Sequence, residues 1–286
     1  MRMTRTRRPF RIWRLARRVW DAEAGVAEPL LKVENLVKNY GGLCAVDGAS
    51  LEVGRGRFVG LVGPNGCGKT TLLSSIYGLR PSDGGRVTFA GRHIEKMAPH
   101  QIFDLGMGNA FQFPRLFPKM TVLDNMIIAA RNQPGDHLWN SLLRRGKWHQ
   151  DEERLAIRAM QLLELLNLSH LTFAKAGEMS GGQQKLLEIG RSLMAEPELL
   201  LLDEPAAGVN PVLGRQIFAE LDKLKREKDM SFLIIEHRLE LLISYTDWVY
   251  VMDRGKIVLQ GEPEKVINDP IFFEVYIGAS AAGGAR

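Results

Sequence analysis

The chain has 286 residues, 45% hydrophobic and 25% charged, enough to bury a full core as one large α/β domain with a helical insertion. No apolar stretch reaches the roughly 18 residues of a membrane-spanning helix, and the two cysteines, Cys44 and Cys67, offer no disulfide framework and fit a reducing cytoplasm. Charge is uneven: eight arginines and no acid lie in the first twenty residues, and setting these aside from 38 basic residues leaves 30 against 33 acidic, a remainder of −3.

That basic segment, residues 1–28, opens the chain. Ile12, Trp13, Ala16, Val19 and Trp20 line one side of a helical wheel, while Arg11, Arg14, Arg17 and Arg18 fall largely elsewhere. A basic amphipathic helix with tryptophans suits an anionic lipid surface, and the segment lacks the apolar core of a signal peptide. A solvated arm and an unused upstream start codon are the competing readings. The next unit runs over residues 29–278. Residues 30–53 and 86–90 read as short, partly alternating strands, an antiparallel edge beside the core of the domain.

Phe58-Val59-Gly60-Leu61-Val62 is short, apolar and β-prone, and Thr71 to Tyr77 opens a helical pattern. Between them stand Gly63, Pro64, Asn65, Gly66, Cys67, Gly68, Lys69 and Thr70, which fit the Gly-x4-Gly-Lys-Ser/Thr phosphate-binding loop. A glycine loop from strand to helix lets backbone N–H groups close around phosphate oxygens at the positive end of a helix dipole. Lys69 would add a point charge at the β- and γ-phosphates, and the Thr70 hydroxyl a magnesium ligand. The Cys67 thiol, beside Lys69 at a helix N-terminus, is expected to have a lowered pKa and to react when the loop is empty.

Residues 113–180 are rich in helical patterns, one beginning at Thr121 and another with apolar residues at 3–4 spacing from Ala156 to Leu168. Leu138 to Gln150, with Trp139, Trp148, Arg144, Arg145 and Lys147, is basic and aromatic, and a solvated face is its default reading. Met179-Ser180-Gly181-Gly182-Gln183-Gln184 precedes an apolar helix face of Leu186, Leu187, Ile189, Leu193 and Met194. Small residues there permit close backbone approach, giving a second phosphate-grade helix start or a plain N-cap. Leu199 to Leu202 shows no alternation, as a strand buried on both faces of a parallel sheet should. It ends in Asp203-Glu204-Pro205, where open α/β sheets place their ligands. Asp203 would hold magnesium through water, and Glu204 would polarise the water that attacks the γ-phosphate. A second apolar strand, Phe232 to Ile235, closes on Glu236-His237, and residues 279–286 read as a small, flexible tail.

In combination, Pro64 to Thr71, Met179 to Gln183 and Leu199 to Pro205 resemble the nucleotide-binding subunit of an ABC transporter, over residues 30–277. P-loop kinases and GTPases lack the serine-glycine cluster. The resemblance implies a P-loop ATPase core with a mainly parallel sheet, an antiparallel β edge and a helical subdomain over about 113–180 that grips a transmembrane partner. It implies that Tyr40 stacks on adenine with Val46 nearby and that Thr71 joins the phosphate loop. It further makes Gln112 a contact to magnesium and attacking water, and His237 a switch against the γ-phosphate. Ser180, Gly181, Gly182 and Gln183 would complete the phosphate loop of a second ATP-binding subunit, the same gene product or a different one. Ala207-Gly208-Val209-Asn210 would form the dimer-contact loop, with Asn210 where many relatives have Asp.

DNA-repair and chromosome members carry coiled coils or zinc-binding cysteines that are missing here, so no nucleic-acid partner is expected. Asn39-Tyr40-Gly41-Gly42, Phe111 to Phe117, Asp203 to Pro211, Asn268-Asp269-Pro270 and Tyr276-Ile277-Gly278 are similar to the ATPases of branched-chain amino acid importers. Urea-importer and lipopolysaccharide-export ATPases are the near alternatives, and a soluble, non-transport ATPase the more distant one. The implied cofactors are ATP and Mg2+. The implied partners are permease subunits and, indirectly, an extracytoplasmic solute-binding protein, with the chain peripheral on the cytoplasmic face of the inner membrane.

Overall fold

The computed structural model of the chain describes residues 28–110, 116–131 and 145–283. Its strands are Leu31–Tyr40 (β1), Leu43–Val53 (β2), Phe58–Val62 (β3), Gly84–Phe89 (β4), Arg92–His93 (β5), Met107–Ala110 (β6), Leu199–Asp203 (β7), Ser231–Ile235 (β8), Trp248–Asp253 (β9) and Lys256–Gly261 (β10). The helices are Lys69–Ile76 (α1), Pro99–Leu105 (α2), Val122–Ile127 (α3), Arg145–Leu165 (α4), Gly181–Met194 (α5), Pro211–Lys228 (α6), Leu239–Tyr245 (α7), Pro263–Ile267 (α8) and Pro270–Gly283 (α9).

Two sheets result. β2-β1-β4-β5 is antiparallel, and β10-β9-β3-β8-β7-β6 is parallel except for its last hairpin, β9 with β10. This is the mixed P-loop α/β architecture expected. The leucine run of β7 shows why no alternation was visible. Leu199 and Leu201 enter a core shared with the antiparallel sheet and α1, while Leu200 and Leu202 enter a second core beneath the helical part. Side chains alternate faces along a strand, so a strand buried on both sides needs apolar residues at every position. β8 repeats the division with Leu233 and Ile235 against Phe232 and Ile234. Phe58 and Phe232 have ring centroids 5.1 Å apart and Phe58 and Phe218 5.8 Å, which anchors the far side of the sheet.

The helical part forms where the capping chemistry stands. The Thr121 hydroxyl accepts the Asp124 N–H and starts α3, and Asn210 Oδ1 accepts the Leu213 N–H at 2.9 Å and starts α6 with Pro211 behind it. α4 departs from expectation at both ends. It begins at Arg145, because Gln150 to Arg154 are good helix formers that carry no apolar period. It ends at Leu165, because Asn167 adopts a left-handed φ of 56°, although apolar spacing runs on to Leu168. The final helix likewise passes the expected boundary at 278 and reaches Gly283, its alanines favouring helix over a loose tail. The arginine-rich segment, residues 1–27, and most of the basic-aromatic stretch lie outside the described residues.

Candidate functional site

Everything at the site hangs on the turn from β3 into α1. Gly63 has φ 152° and Gly68 φ 111°, and an added Cβ would come within 2.1 Å of the Met252 carbonyl oxygen at the first and 2.2 Å of the Ala45 oxygen at the second. Two other chain segments therefore press on the loop so closely that only glycine fits. Gly68 is the N-cap of α1 and supplies no side chain to it, so the first-turn N–H groups are left for a ligand. The Lys69 ammonium is buried and donates to the carbonyl oxygens of Gly63 and Pro64, both at 2.9 Å. Above this loop opens a cleft of about 460 Å³, walled by Tyr40, Asn65, Lys69, Thr70, Glu204 and Arg254.

Tyr40 closes one end of the cleft from the tip of β1 and is 39% exposed, too open for a core aromatic. Lys38 and Arg80 each lie 5.6 Å from its ring centroid. At the other end, β7 delivers Asp203 and Glu204. The Thr70 hydroxyl hydrogen-bonds the Asp203 carboxylate, whose Oδ1 is buried with no hydrogen-bond partner. Burial pushes the Asp203 pKa up, and the Thr70 hydrogen bond offsets part of that. Glu204 takes a left-handed backbone, φ 52°, which turns its side chain back toward the β8 end. There Glu204 Oε1 meets His237 Nε2 at 2.9 Å.

Residues 46–207 match the ABC transporter family. The chain belongs to that family. It is 44% identical over 253 residues to a probable branched-chain amino acid transport ATP-binding protein LivG of Methanocaldococcus jannaschii, covering 87% of this chain and 97% of the relative. A high-affinity branched-chain amino acid transport ATP-binding protein LivG of Salmonella typhimurium is 35% identical, over 88% of this chain and 99% of its own. Among solved structures, the ADP conformation of an ATP-binding cassette of an ABC transporter superposes with a TM-score of 0.76 at 42% identity, covering 88% of this chain and all of that one. An ABC cassette is a nucleotide-binding ATPase, and so is this chain.

Within this cassette, Tyr40, residues 65–71 and Glu204 share one cleft, with Asp203 behind Thr70 and His237 behind Glu204. Ser180, Gly181, Gly182 and Gln183 do not line it. They form the start of α5, where the Ser180 side chain accepts the Gln183 N–H and Gln183 Oε1 accepts the Ser180 N–H at 2.9 Å. An added Cβ at Gly181 would find open space. Asn210 serves as the cap of α6. Gln112 lies outside the described residues.

Two expectations need correction. Val46 is fully buried in the core and does not reach the cleft, because side chains alternate along β2 and it is the Ala45 backbone that borders the loop. Cys67 is buried, and its thiol does not have the lowered pKa expected. Desolvation pushes its thiol pKa up and outweighs the lowering by Lys69, whose Nζ is 3.9 Å from the sulfur.

Sequence reasoning also passed over two residues. Glu236 is buried at the end of β8, and its Oε1 accepts the backbone N–H groups of His237 at 3.0 Å and Arg238 at 3.2 Å, fixing the turn that carries His237. An acid directly after an apolar strand was its only signal. Tyr276, from α9, accepts the Gly63 N–H on its hydroxyl at 3.1 Å, and burial pushes its pKa up to about 12. No local pattern announces a contact across that much chain.

The thiol geometry sets a labelling order. With a slow alkylating agent at neutral pH and no nucleotide, exposed Cys44 should modify first and Cys67 many-fold later, as peptide mass spectrometry would read. Equal rates would place Cys67 outside the buried loop. Asp203 sets a stability test. A carboxyl whose folded pKa exceeds its unfolded value costs stability once ionised, and the cost fades as pH falls through the folded value. Without divalent metal, Asp203→Asn should therefore raise Tm at pH 7, by about 2–4 °C for each kcal/mol recovered in a chain of this size, with the gain shrinking in acid. A lower Tm at pH 7 would contradict the buried, unpartnered oxygen.

Proposed function

We propose that the chain is the ATP-hydrolysing subunit of an importer for branched-chain amino acids or similar small polar solutes. The Glu204–His237 contact at the mouth of the phosphate-loop cleft carries the chemistry of this reading, and the names of the relatives carry the solute. In it, the loop N–H groups of residues 63–71 and Lys69 bind the phosphates, and Tyr40 stacks on the base. Glu204 takes a proton from the water that attacks the γ-phosphorus as the bond to ADP breaks, and His237 holds the carboxylate in place.

Magnesium fits the donors beside the loop, because a buried carboxylate oxygen without a partner on Asp203 is what a hard cation satisfies. Thr70, Asp203 and Gln112 would hold it, and it would supply neutralising charge at the β- and γ-phosphates.

The exposed start of α5 supports a composite site. Ser180 to Gln183 belong to a cleft other than their own, so a second ATP-binding subunit, identical or homologous, would pair head to tail with this one, Asn210 lying on the contact loop. Ile157, Met160 and Phe173 leave apolar surface on the helical part, with Phe173 79% exposed. That surface suits permease subunits, through which a solute-binding protein is served indirectly. No helix among the described residues is long and apolar enough to cross a membrane. We place the chain peripherally on the cytoplasmic face of the membrane, with residues 1–28 adding an anionic-lipid contact.

Glu204→Gln should keep ATP affinity and nearly abolish phosphate release, while Lys69→Ala should lose affinity itself. Hydrolysis by Glu204→Gln within a few-fold of the unaltered protein would remove Glu204 as the base. For the arginine-rich segment, the full chain should float with anionic vesicles, release as salt rises and ignore neutral ones, each arginine near the surface contributing about 1 kcal/mol. A chain beginning at Glu28 should bind neither kind and keep its ATPase activity. Equal flotation of both would assign the segment no lipid role.

A further inference from the structure

One cation near the catalytic glutamate has no part in binding the phosphates or in splitting them. Lys185 stands in the early turns of α5, the helix that begins at the exposed Ser180 and Gly181. Its half-buried ammonium leaves the helix and donates to two backbone oxygens of the segment after β7, Glu204 O at 3.3 Å and Ala207 O. The same Glu204 carbonyl accepts the Ala207 N–H at 3.0 Å, so residues 204–207 form a tight turn with both ends of its carbonyl face held by one side chain. This is the turn in which Glu204 adopts φ 52°, an unfavourable backbone for a residue with a Cβ. Such a conformation persists only where the surroundings over-determine it.

The rest of α5 leaves no slack between the helix and this segment. A Cβ on Gly182, one turn before Lys185, would meet Leu213 Cδ2 at 2.1 Å and Val209 Cγ1 at 3.3 Å. Lys185, Glu188 and Ile189 line one small cavity, of about 10 Å³, together with Leu202 to Pro205. The start of α5 is therefore packed against Val209 and Leu213 at Gly182 and bonded to residues 204 and 207 through Lys185. Burial pulls the Lys185 pKa below its usual value, while the carboxylates of Glu236 and Glu204 oppose that and favour the charged form.

We propose that Lys185 is a positioning residue which holds the Glu204–Ala207 turn in its strained, catalytically aligned form and ties that turn to the helix whose N-terminus faces the partner subunit. A shift of α5 on closure against a second subunit is thereby carried to the base of the cleft on its own side, coupling the two ATP sites through one side chain. This rests on Glu204 being the base that activates the attacking water.

The test compares Lys185→Met, which keeps the aliphatic stem, and Lys185→Arg, which keeps a charged donor, with Glu204→Gln as the control in the same full-length protein. Lys185→Met should lower single-turnover hydrolysis about tenfold or more, as small misplacements of a catalytic group do, with ATP affinity held within about twofold, since only transition-state alignment is lost. Lys185→Arg should recover most of the rate. Amide hydrogen exchange over residues 203–210 should rise in Lys185→Met alone, at unchanged Tm. The proposal is overturned if Lys185→Met hydrolyses within about twofold of the unaltered protein, if Lys185→Arg is as impaired as Lys185→Met, or if affinity and rate fall together. Full hydrolysis by Glu204→Gln would instead reject the base assignment, and the exchange experiment would still decide whether Lys185 holds the turn.

Discussion

The constraint on which the rest depends is the crowding of the phosphate loop. Two of its three glycines, Gly63 and Gly68, pack against the backbone of residues 252 and 45, so strands from both sheets and the β3–α1 turn converge within van der Waals distance. None of these contacts involves a reacting group. They nevertheless decide where the Lys69 ammonium and the first-turn N–H groups of α1 stand, because backbone approaching backbone cannot be adjusted by changing a rotamer. The antiparallel sheet is thus more than a lid on the core. It supplies Tyr40 at its tip and Ala45 at the wall, and the C-terminal helix supplies the Tyr276 hydroxyl from the opposite side.

The site sits against the grain of stability. Asp203 and Glu236 are buried acids, each with a carboxylate oxygen that has no hydrogen-bond partner, and Glu204 holds a left-handed backbone. A fold optimised only to persist would replace the first two with apolar residues and relax the third. What offsets them is the double-faced apolar sheet, in which β7 and β8 are buried from end to end. The strain is therefore confined to the carboxyl ends of strands whose interiors cannot move, which is how a rigid scaffold keeps a misfit turn in register.

Legibility in the sequence followed the range of the physics. The phosphate loop and the Asp203-Glu204 pair were readable because their chemistry needs contiguous residues between elements with distinct periods, and the two-faced strands because burial on both sides abolishes alternation. The caps Thr121, Ser180 and Asn210 act within three residues of themselves, and the helix starts at Thr121 and Ser180 were equally plain. Cys67 was misread because a helix start and a nearby lysine are local signals, whereas the burial that overrides them comes from the core around it, whose members are distant in sequence. Val46 failed for want of a face, since one residue along a strand reverses the direction of a side chain. Lys185 and Tyr276 act on backbone groups many residues away, and backbone carries no letter in a sequence.

One asymmetry remains between the two phosphate-grade helix starts of the chain. The first, at Lys69, has no side-chain cap and lies in a cleft; the second, at Gly181, is closed by the reciprocal Ser180 and Gln183 bonds and lies open to solvent. A helix start exposed to water needs its own cap, whereas one in a cleft can leave its N–H groups for a ligand. The Ser180 oxygen accepts the Gln183 N–H at 3.4 Å, the longer half of the cap, which leaves the hydroxyl proton to donate to an acceptor such as a phosphate oxygen. In the shorter half the Ser180 N–H donates to Gln183 Oε1 at 2.9 Å, and the two bonds together hold the helix start formed. The second helix start is thus capped by its own residues with Ser180 exposed, whereas the first leaves its N–H groups uncapped beside the cleft.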